Sequence, residues 1–365
     1  MNGTQLALGL VGLMAAGASL SSGSANKRKL PRTATLFSGG GMVEAGLKGL
    51  IDPVFAVEID PKIARVYKDA YGPHVFVGDV RHAVFPKLGQ VDYLHASPVC
   101  KNYSTAKRRT ECAFEDCGLD METAAATAKA IEVLRPQVFT LENVKRYGGS
   151  EALVLIQQTL DRLGYTYDKR VYNAADYGTA SHRERLLLRA VKDGPLPEPP
   201  APTHGPSRPK PYADWFKALR DEVEGYPDTS IPVWMVERLQ AQGVPILDQR
   251  THLVERPMIV MGGSGFRGSI PFAYAGGPAP TFKASVGEGL YHRILLPDGK
   301  IKRLPPSGIS KILGMPKNYP LPAGGALLPT GAAKVSVTIL GNGVPPALSR
   351  AVFGPLLVGL RPSVG

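Results

Sequence analysis

Hydrophobic residues in the first half of the chain form short continuous runs that alternate with amphipathic stretches. Such runs are typical of strands buried on both faces, as in a parallel sheet covered by helices. The pattern predicts strands at 33–37, 53–59, 74–80, 91–97 and 137–144, with helices at 42–50, 61–70, 120–134 and 150–163. This alternation predicts an α/β fold with a doubly wound, mostly parallel sheet.

The second half of the chain has a different pattern. Residues 165–178 and 185–191 are strand-like with no helix between them, which predicts an antiparallel edge to the sheet. A proline-rich segment from about residue 194 indicates a linker. We therefore divide the chain into an N-terminal extension, a first domain, a smaller second domain of irregular structure and a C-terminal segment, at 1–32, 33–194, 195–280 and 281–365.

Composition adds an expectation about partners and compartment. The 365 residues include 43 Lys and Arg against 31 Asp and Glu, which gives a net charge of +12. A basic protein favours a polyanionic partner, with nucleic acid the leading candidate, although a basic protein without such a partner remains an alternative. Three cysteines form no disulfide framework and fit a reducing compartment, so we expect a cytoplasmic protein.

The apolar run at 6–20 superficially resembles a signal peptide. The basic cluster at 27–29 follows this run instead of preceding it, and the run is short for a membrane span. We expect a weakly ordered helix or a start-site artefact there, not an export signal. No other stretch of the sequence is long and apolar enough to suggest a membrane partner.

Three successive predicted strands end in residues that suit a nucleoside cofactor. Residues 36–46 read as a strand, three glycines and a helix, an arrangement that lets the backbone approach a ligand closely. Glu58 ends the next strand, where a ribose hydroxyl would bind, and Asp79 ends the third. Alternatively, Glu58 and Asp79 cap the helices that follow them.

The fourth strand delivers a thiol, Cys100, to the same edge of the sheet. Polar and basic residues follow it, and a positive environment favours a reactive thiolate. The fifth strand ends in Glu142, which could donate a proton to an electrophile, or could instead cap a helix or form a salt bridge. Cys112 and Cys117 lack a second cysteine pair, so we expect no metal site.

Taken in order, the motifs are FSGGG, VEID, GDV, SPVCKNYS, ENV, YGTASHRER and GNGVPP. This ordered set resembles the cytosine-5 DNA methyltransferase family, over residues 33–360. Phe37–Gly41, Glu142–Val144 and Gly341–Pro346 match family motifs, and Arg183 and Arg185 match its paired arginines. Three positions depart from the family pattern: Val99, Lys101 and Ser181.

The resemblance implies a Rossmann-like methyltransferase that transfers a methyl group from S-adenosyl-L-methionine to carbon 5 of a flipped-out cytosine in a short duplex DNA sequence. It implies that Cys100 attacks the base, that Glu142 protonates it, and that Arg183 and Arg185 contact its carbonyl group and hold the catalytic loop. A tRNA cytosine-5 methyltransferase of the same family is the alternative. A nicotinamide-dependent oxidoreductase or a non-enzymatic DNA-binding protein would leave this set of residues unused.

The resemblance also assigns binding residues. The cofactor pocket would be lined by Phe37, Gly39, Gly41, Glu58, Ile59, Asp79, Val80, Pro98, Asn342 and Val344. The last two residues would bring the C-terminal segment back to complete the catalytic domain, and 195–280 would be the target-recognition domain.

Nucleic-acid contacts are expected from basic side chains in two loops. They are Lys107, Arg108, Arg109 and Arg267. A solvated basic loop is the alternative reading of the first three. Trp215 and Trp234 are also candidate groove contacts, but we favour their placement in the small core of the second domain. We expect a monomer that acts on double-stranded DNA. Two alternatives stay open at this point: it is paired functionally with a cognate restriction endonuclease, or it is a solitary methyltransferase.

Overall fold

The computed structural model describes residues 29–87, 89–99, 103, 118–262, 269–284, 291–322 and 331–360. Within these residues a central sheet contains β1 (Arg32–Leu36), β2 (Asp52–Glu58), β3 (Val75–Val77), β4 (Tyr93–Ala96), β5 (Val138–Asn143), β6 (Tyr165–Asn173) and β7 (Glu184–Lys192). The strand order is β3-β2-β1-β4-β5-β7-β6.

The first five strands are parallel, and β7 runs antiparallel to both of its neighbours. The predicted doubly wound, mostly parallel sheet with an antiparallel edge is therefore confirmed. Because β7 is antiparallel to β5, the beginning of β7 lies beside the carboxyl end of β5, with Leu186 opposite Asn143. Residues from two distant motifs thus meet at one edge of the sheet.

Helices cover both faces of this sheet. They are α1 (Met42–Gly46), α2 (Pro61–Tyr71), α3 (Gly118–Leu134), α4 (Glu151–Arg162) and α8 (Pro346–Leu357). Three further helices lie elsewhere: α5 (Val233–Ala241) packs in the core of a second, smaller sheet, and α6 (Pro306–Ile312) packs against α7 (Ala332–Asn342). Along β4, Leu94 packs in the core that α3 and α4 cover, whereas Tyr93 packs in the core that includes Phe353 of α8. The alternation of side chains along a strand accounts for this division.

Local sequence explains where helices α2 and α4 begin. Asp60 accepts hydrogen bonds from the backbone N–H groups of Lys62 and Ile63, and Pro61 occupies the first turn of α2. Ser150 accepts a hydrogen bond from the N–H of Leu153 at the start of α4. Short polar side chains at these positions satisfy N–H groups that have no partner within the helix.

The second half of the chain contains a regular antiparallel sheet. Its strands are β8 (Met258–Val260), β9 (Phe272–Tyr274), β10 (Arg293–Leu295) and β11 (Ile301–Arg303), in the order β11-β10-β8-β9. The expectation of irregular structure before residue 280 is therefore wrong for β8 and β9. The sheet also continues past residue 280, and Ile259 and Ile294 share a hydrophobic cluster with Met42 of α1.

The proline-rich segment is attached to the central domain by hydrogen bonds. Tyr177 donates its hydroxyl proton to the carbonyl oxygen of Pro200 at 2.8 Å, and Nη2 of Arg189 donates to the carbonyl oxygen of Pro197 at 3.0 Å. Tyr212 bonds to the carboxylate of Asp176 at 3.1 Å. These contacts fix the segment along the central domain, whereas its composition indicates a linker.

The C-terminal segment returns to the beginning of the domain. A Cβ atom on Gly46 would lie 2.4 Å from the carbonyl oxygen of Pro346, so α1 and α8 are in backbone contact there. Such close packing requires glycine at this position. Among the residues that the structure describes, no helix has the length and apolar character to cross a membrane. The apolar run at 6–20 lies outside the described residues.

Candidate active site

The glycine turn after β1 has an unusual backbone. Phe37, Gly39 and Gly41 have φ values of +57°, +55° and +85°. Positive φ values are accessible to glycine but cost free energy in a phenylalanine. Tyr71 donates a hydrogen bond from its hydroxyl to the carbonyl oxygen of Gly41 at 2.7 Å and so holds the turn against α2.

Glu58 connects the end of β2 to this turn. Its Oε2 atom accepts a hydrogen bond from the N–H of Gly39 at 2.8 Å, and its Oε1 atom accepts one from the N–H of Asp60 at 2.9 Å. Burial raises the pKa of the Glu58 carboxyl above the usual value. Asp60, not Glu58, caps α2, so helix capping does not explain why an acid ends this strand.

Asp79 does act as a cap. Its carboxylate accepts a hydrogen bond from the backbone N–H of Arg81 at 2.9 Å and also pairs with the guanidinium of Arg81, at the start of a 3-10 helix over Val80–His82. Hydrogen bonds from Arg81 lower the pKa of Asp79 to about 2. Ile59, at the end of β2, has 65% of its surface exposed, whereas Val80 is buried.

Helix α7 brings the C-terminal motif to the glycine turn. A Cβ atom on Gly40 would lie 2.7 Å from Cγ2 of Ile339, so this side chain packs directly against the turn. Val344 is buried in the cluster that includes Val43 of α1, and Asn342 is exposed at the end of α7. Val344 therefore packs beside α1, and a Cβ atom on Gly343 would meet the side chain of Met42 at the start of that helix.

The loop after β4 is attached to the end of β5. Nδ2 of Asn143 donates a hydrogen bond to the carbonyl oxygen of Pro98 at 3.1 Å, and its Oδ1 atom accepts one from the N–H of Val144 at 2.8 Å. The residue is buried. The sequence places Asn143 in the motif with Glu142 but does not assign it a role. Its amide side chain, directly after a candidate catalytic residue, was the feature that could have indicated one.

Glu142 and Arg185 form an ion pair at the same edge. Nε of Arg185 lies 2.8 Å from Oε1 of Glu142, and the two side chains are 12% and 8% exposed. Glu184 instead lies 3.7 Å from the ammonium of Lys145. Arg185 therefore forms a buried ion pair within the site, whereas Glu184 pairs with Lys145 at the surface.

Arg183 is in a different environment from Arg185. It is 1% exposed, and its guanidinium donates hydrogen bonds to the carbonyl oxygens of Phe282 at 3.2 Å and Gly341 at 2.8 Å. The side chain joins the start of β7 to the segment after the smaller sheet and to the end of α7. These contacts indicate a role in holding segments together near the site.

Several predicted residues lie outside the described residues. They are Cys100, Lys107, Arg108, Arg109 and Arg267, together with Lys101, Cys112 and Cys117. Of the loop after β4, the structure describes the residues up to Val99 and then Tyr103. Trp215 is fully buried and donates a hydrogen bond to the carbonyl oxygen of Tyr274, whereas Trp234 is 37% exposed beneath the guanidinium of Arg238. The core prediction is correct for Trp215 and wrong for Trp234.

Comparison with known proteins identifies the family of this chain. A family model described as C-5 cytosine-specific DNA methylase matches residues 32–357, which is nearly the whole described region. The chain belongs to this family. The resemblance found in the ordered motifs is thus confirmed, and the strand ends described above are those of a cytosine-5 methylase domain.

Two curated relatives and one solved structure illustrate the similarity. The chain is 27% identical over 186 residues to the type II methyltransferase M.AgeI of Thalassovita gelatinovora, covering 47% of this chain and 42% of that protein. It is 29% identical over 171 residues to M.NgoBI of Neisseria gonorrhoeae, covering 44% and 51%. The matches thus span about half the length of these relatives.

The fold agrees with that of a methyltransferase of solved structure. The structure of the Entamoeba histolytica methyltransferase EhMeth superposes with a TM-score of 0.61, at 16% identity, over 90% of this chain and 98% of that one. The cofactor of this family, S-adenosyl-L-methionine, suits the residues at the edge of the sheet. Each carboxylate oxygen of Glu58 accepts one backbone N–H, which leaves lone pairs for ribose hydroxyls.

Proposed function

We propose that this protein is a DNA (cytosine-5)-methyltransferase that acts on duplex DNA. The observation that carries the proposal is the buried pair of Glu142 and Arg185 beside the bond from Asn143 to Pro98. These contacts bring together the carboxyl ends of β4 and β5 and the beginning of β7, next to the glycine turn. Membership of the family supports the same reaction.

Cys100 is the proposed nucleophile. Carbon 5 of cytosine is too weakly nucleophilic to attack a methyl sulfonium, and addition of a thiolate to carbon 6 converts the ring into an enamine that is reactive at carbon 5. Cys100 follows Pro98 and Val99 directly, and the carbonyl oxygen of Pro98 is fixed by Asn143. Holding the start of this loop reduces the cost of positioning the thiolate beside the base.

Glu142 and the two arginines are proposed to act on the base and its surroundings. Charge develops on the ring when the thiolate adds, and a proton donor near ring nitrogen 3 stabilises it. Arg185 orients the Glu142 carboxyl through their 2.8 Å contact and can reach a base carbonyl from the same edge. Arg183 holds the backbone at Phe282 and Gly341.

The cofactor site is proposed at the glycine turn. Glu58 would bind the ribose hydroxyls, exposed Ile59 would cover one face of the adenine, and Asp79 and Val80 would border the ring. Phe37, Gly39, Gly41, Pro98, Asn342 and Val344 complete the proposed lining. When bound, S-adenosyl-L-methionine supplies an electrophilic methyl group to the activated base.

The target cytosine must leave the duplex before this chemistry is possible, because carbon 6 is inaccessible in stacked DNA. Lys107, Arg108 and Arg109 follow Cys100 in the sequence and are proposed to bind phosphates around the extruded base, with Arg267 as a further contact. The relatives M.AgeI and M.NgoBI are named type II methyltransferases. We propose a monomer whose methylation protects DNA from a cognate restriction endonuclease.

A covalent trapping experiment tests this function. After methyl transfer, a base normally removes the proton from carbon 5 and the cysteine thiolate is eliminated from carbon 6. Duplex DNA that contains 5-fluorocytosine at target sites retains the covalent adduct, because its carbon 5 carries fluorine and no proton for the base to remove. The wild-type protein with S-adenosyl-L-methionine should form a denaturation-resistant complex with this DNA, and Cys100→Ser should form none while still binding DNA. Cys112→Ser is the matched control, since it removes a thiol that the mechanism does not use.

Parallel reactions with tRNA distinguish the alternative substrate. Adduct formation with DNA and not with tRNA supports the proposal. Transfer to tRNA alone, or an adduct that persists in Cys100→Ser, would contradict it.

A further inference from the structure

A chain of buried hydrogen bonds runs between β4 and β5 and ends shortly before Cys100 in the sequence. The hydroxyl groups of Tyr93 and Thr140 are 2.7 Å apart, and the Thr140 hydroxyl lies 2.8 Å from Nδ1 of His95. Nε2 of His95 lies 3.3 Å from the hydroxyl of Ser97. The chain therefore ends on the side chain of the third residue before Cys100.

The sheet fixes this arrangement. His95 of β4 is directly opposite Thr140 of β5 in the parallel register, and both residues are almost completely buried. The imidazole ring also contacts Phe353 of α8, with ring centroids 5.4 Å apart. One nitrogen is held by Thr140 and the ring is held by Phe353, so the position of Nε2 is determined by rigid elements.

The His95 imidazole can keep both of its hydrogen bonds over a wide pH range. Burial lowers the pKa of His95 to about 3, so the ring is neutral throughout the physiological pH range. A neutral imidazole has one donor and one acceptor nitrogen, and both have hydroxyl partners here. The hydrogen-bond chain therefore stays intact where the enzyme works.

We propose that His95 is a positioning residue that holds Ser97, and through it the start of the Cys100 loop, in the geometry that methyl transfer requires. This inference rests on the proposed function. Ser97 is held by its side chain to His95, and the next residue, Pro98, is held by its carbonyl oxygen to Asn143. The loop is thus attached at consecutive residues to the ends of β4 and β5.

The two nitrogens of His95 can be tested separately. In His95→Asn the shorter amide occupies the position of Nδ1, so the contact with Thr140 is kept and the contact with Ser97 is lost. In His95→Gln the amide reaches the position of Nε2 and can bond to Ser97. Ser97→Ala removes the other partner at a half-buried position, so it perturbs the core least.

The readout is the single-turnover rate of methyl transfer to DNA, measured with the KM values for both substrates. We expect His95→Asn and Ser97→Ala each to lower the rate by about tenfold or more, since small misplacements of reacting groups have large effects on rate. The KM values should change by less than about twofold. His95→Gln should restore most of the rate, and the Asn/Ala double variant should be no slower than either single variant.

A matched control and a structural readout complete the test. His74 is a half-buried histidine that precedes β3, and His74→Asn should leave the rate unchanged. A crystal structure of His95→Asn should show the Ser97 hydroxyl displaced with the Thr140 contact retained. That measurement applies whatever substrate the enzyme methylates, so it separates failure of this inference from failure of the proposed function. A Ser97 hydroxyl that stays in place, a wild-type rate in Ser97→Ala, or equal losses in the Asn and Gln variants would overturn the inference.

Discussion

Nε of Arg185 lies 2.8 Å from Oε1 of Glu142, although β5 and β7 bring these residues from separate motifs. The antiparallel pairing of β5 with β7 places them at the same edge of the sheet. Since both side chains are largely buried, the charge of each depends on the other for stabilisation. Removal of one partner therefore costs more free energy than the pair itself contributes.

The first prediction concerns this pair. Arg185→Ala should lower the free energy of unfolding by about 3 kcal/mol, because it leaves the Glu142 carboxylate buried without its partner. Glu142→Gln should lower the methyl-transfer rate by about a hundredfold or more, since it removes the proton donor. In the double variant, urea denaturation should show recovery of part of the stability that Arg185→Ala loses. Strict additivity of the two changes in stability would contradict the interpretation.

Arg183 should behave as a structural link between segments. Arg183→Met removes both hydrogen bonds to the carbonyl oxygens of Phe282 and Gly341 and should destabilise the protein by about 3 kcal/mol. We also expect a higher KM for S-adenosyl-L-methionine, because the end of α7 loses its attachment. Arg65→Ala is the control: its side chain is 81% exposed, and its change in stability should be within about 1 kcal/mol. An equal effect of both variants would refute the assignment.

The contact between the glycine turn and α7 gives a third prediction. Gly40→Ala places a methyl group 2.7 Å from Cγ2 of Ile339 and should destabilise the protein by about 1–3 kcal/mol. Ile339→Ala should be less harmful in the Gly40→Ala background than alone, because the new methyl group occupies part of the space. Thermal denaturation measures both effects. Gly149→Ala, where the added Cβ meets nothing within 4 Å, is the control and should leave stability nearly unchanged.

Cofactor affinity should depend on pH through Glu58. Its pKa is raised by burial, and only the ionised carboxylate accepts hydrogen bonds at both oxygens from donors such as ribose hydroxyls. Affinity for S-adenosyl-L-methionine should therefore fall as the pH is lowered through this raised pKa. Isothermal titration calorimetry of the wild type and of Glu58→Gln checks this expectation: the variant should bind more weakly and lose the pH dependence. A variant that keeps the wild-type profile would exclude Glu58 as the source.

In the free enzyme the raised pKa of Glu58 has the opposite consequence: its contribution to the free energy of unfolding decreases as the pH rises. A folded-state pKa above the unfolded value means that the folded protein retains its proton longer as the pH rises. The stability contributed by the protonated form is full below the unfolded pKa and is lost as the pH rises through the folded pKa. Glu58→Gln should remove this component of the dependence of unfolding on pH.

The central sheet could be predicted from sequence because its strands are continuous apolar runs. Several of these runs end in glycine, an acidic residue or cysteine, which marks where each strand stops. The first four predicted helices correspond to α1–α4, although α1 ends at Gly46, where the chain meets Pro346. Helix α7 was not predicted. It contains Val335, Val337 and Ile339, whose branched side chains favour strands, and its packing against the glycine turn and α6 overrides that preference.

The candidate site was predictable in its residues and less so in their contacts. Glu142 and the arginines could be named from motifs, but only the antiparallel register of β7 shows that Arg185 meets Glu142 while Arg183 binds carbonyl oxygens. His95 gave no signal in the sequence, because its function depends on the residue opposite it on β5. Contacts of this kind depend on register, which local patterns do not determine.

The most direct test is methylation of mixed genomic DNA by the purified protein with labelled S-adenosyl-L-methionine, followed by bisulfite sequencing. The account predicts incorporation of label and modified cytosines within one short shared sequence. Binding of the cofactor without any transfer to DNA, or transfer to tRNA alone, would contradict it.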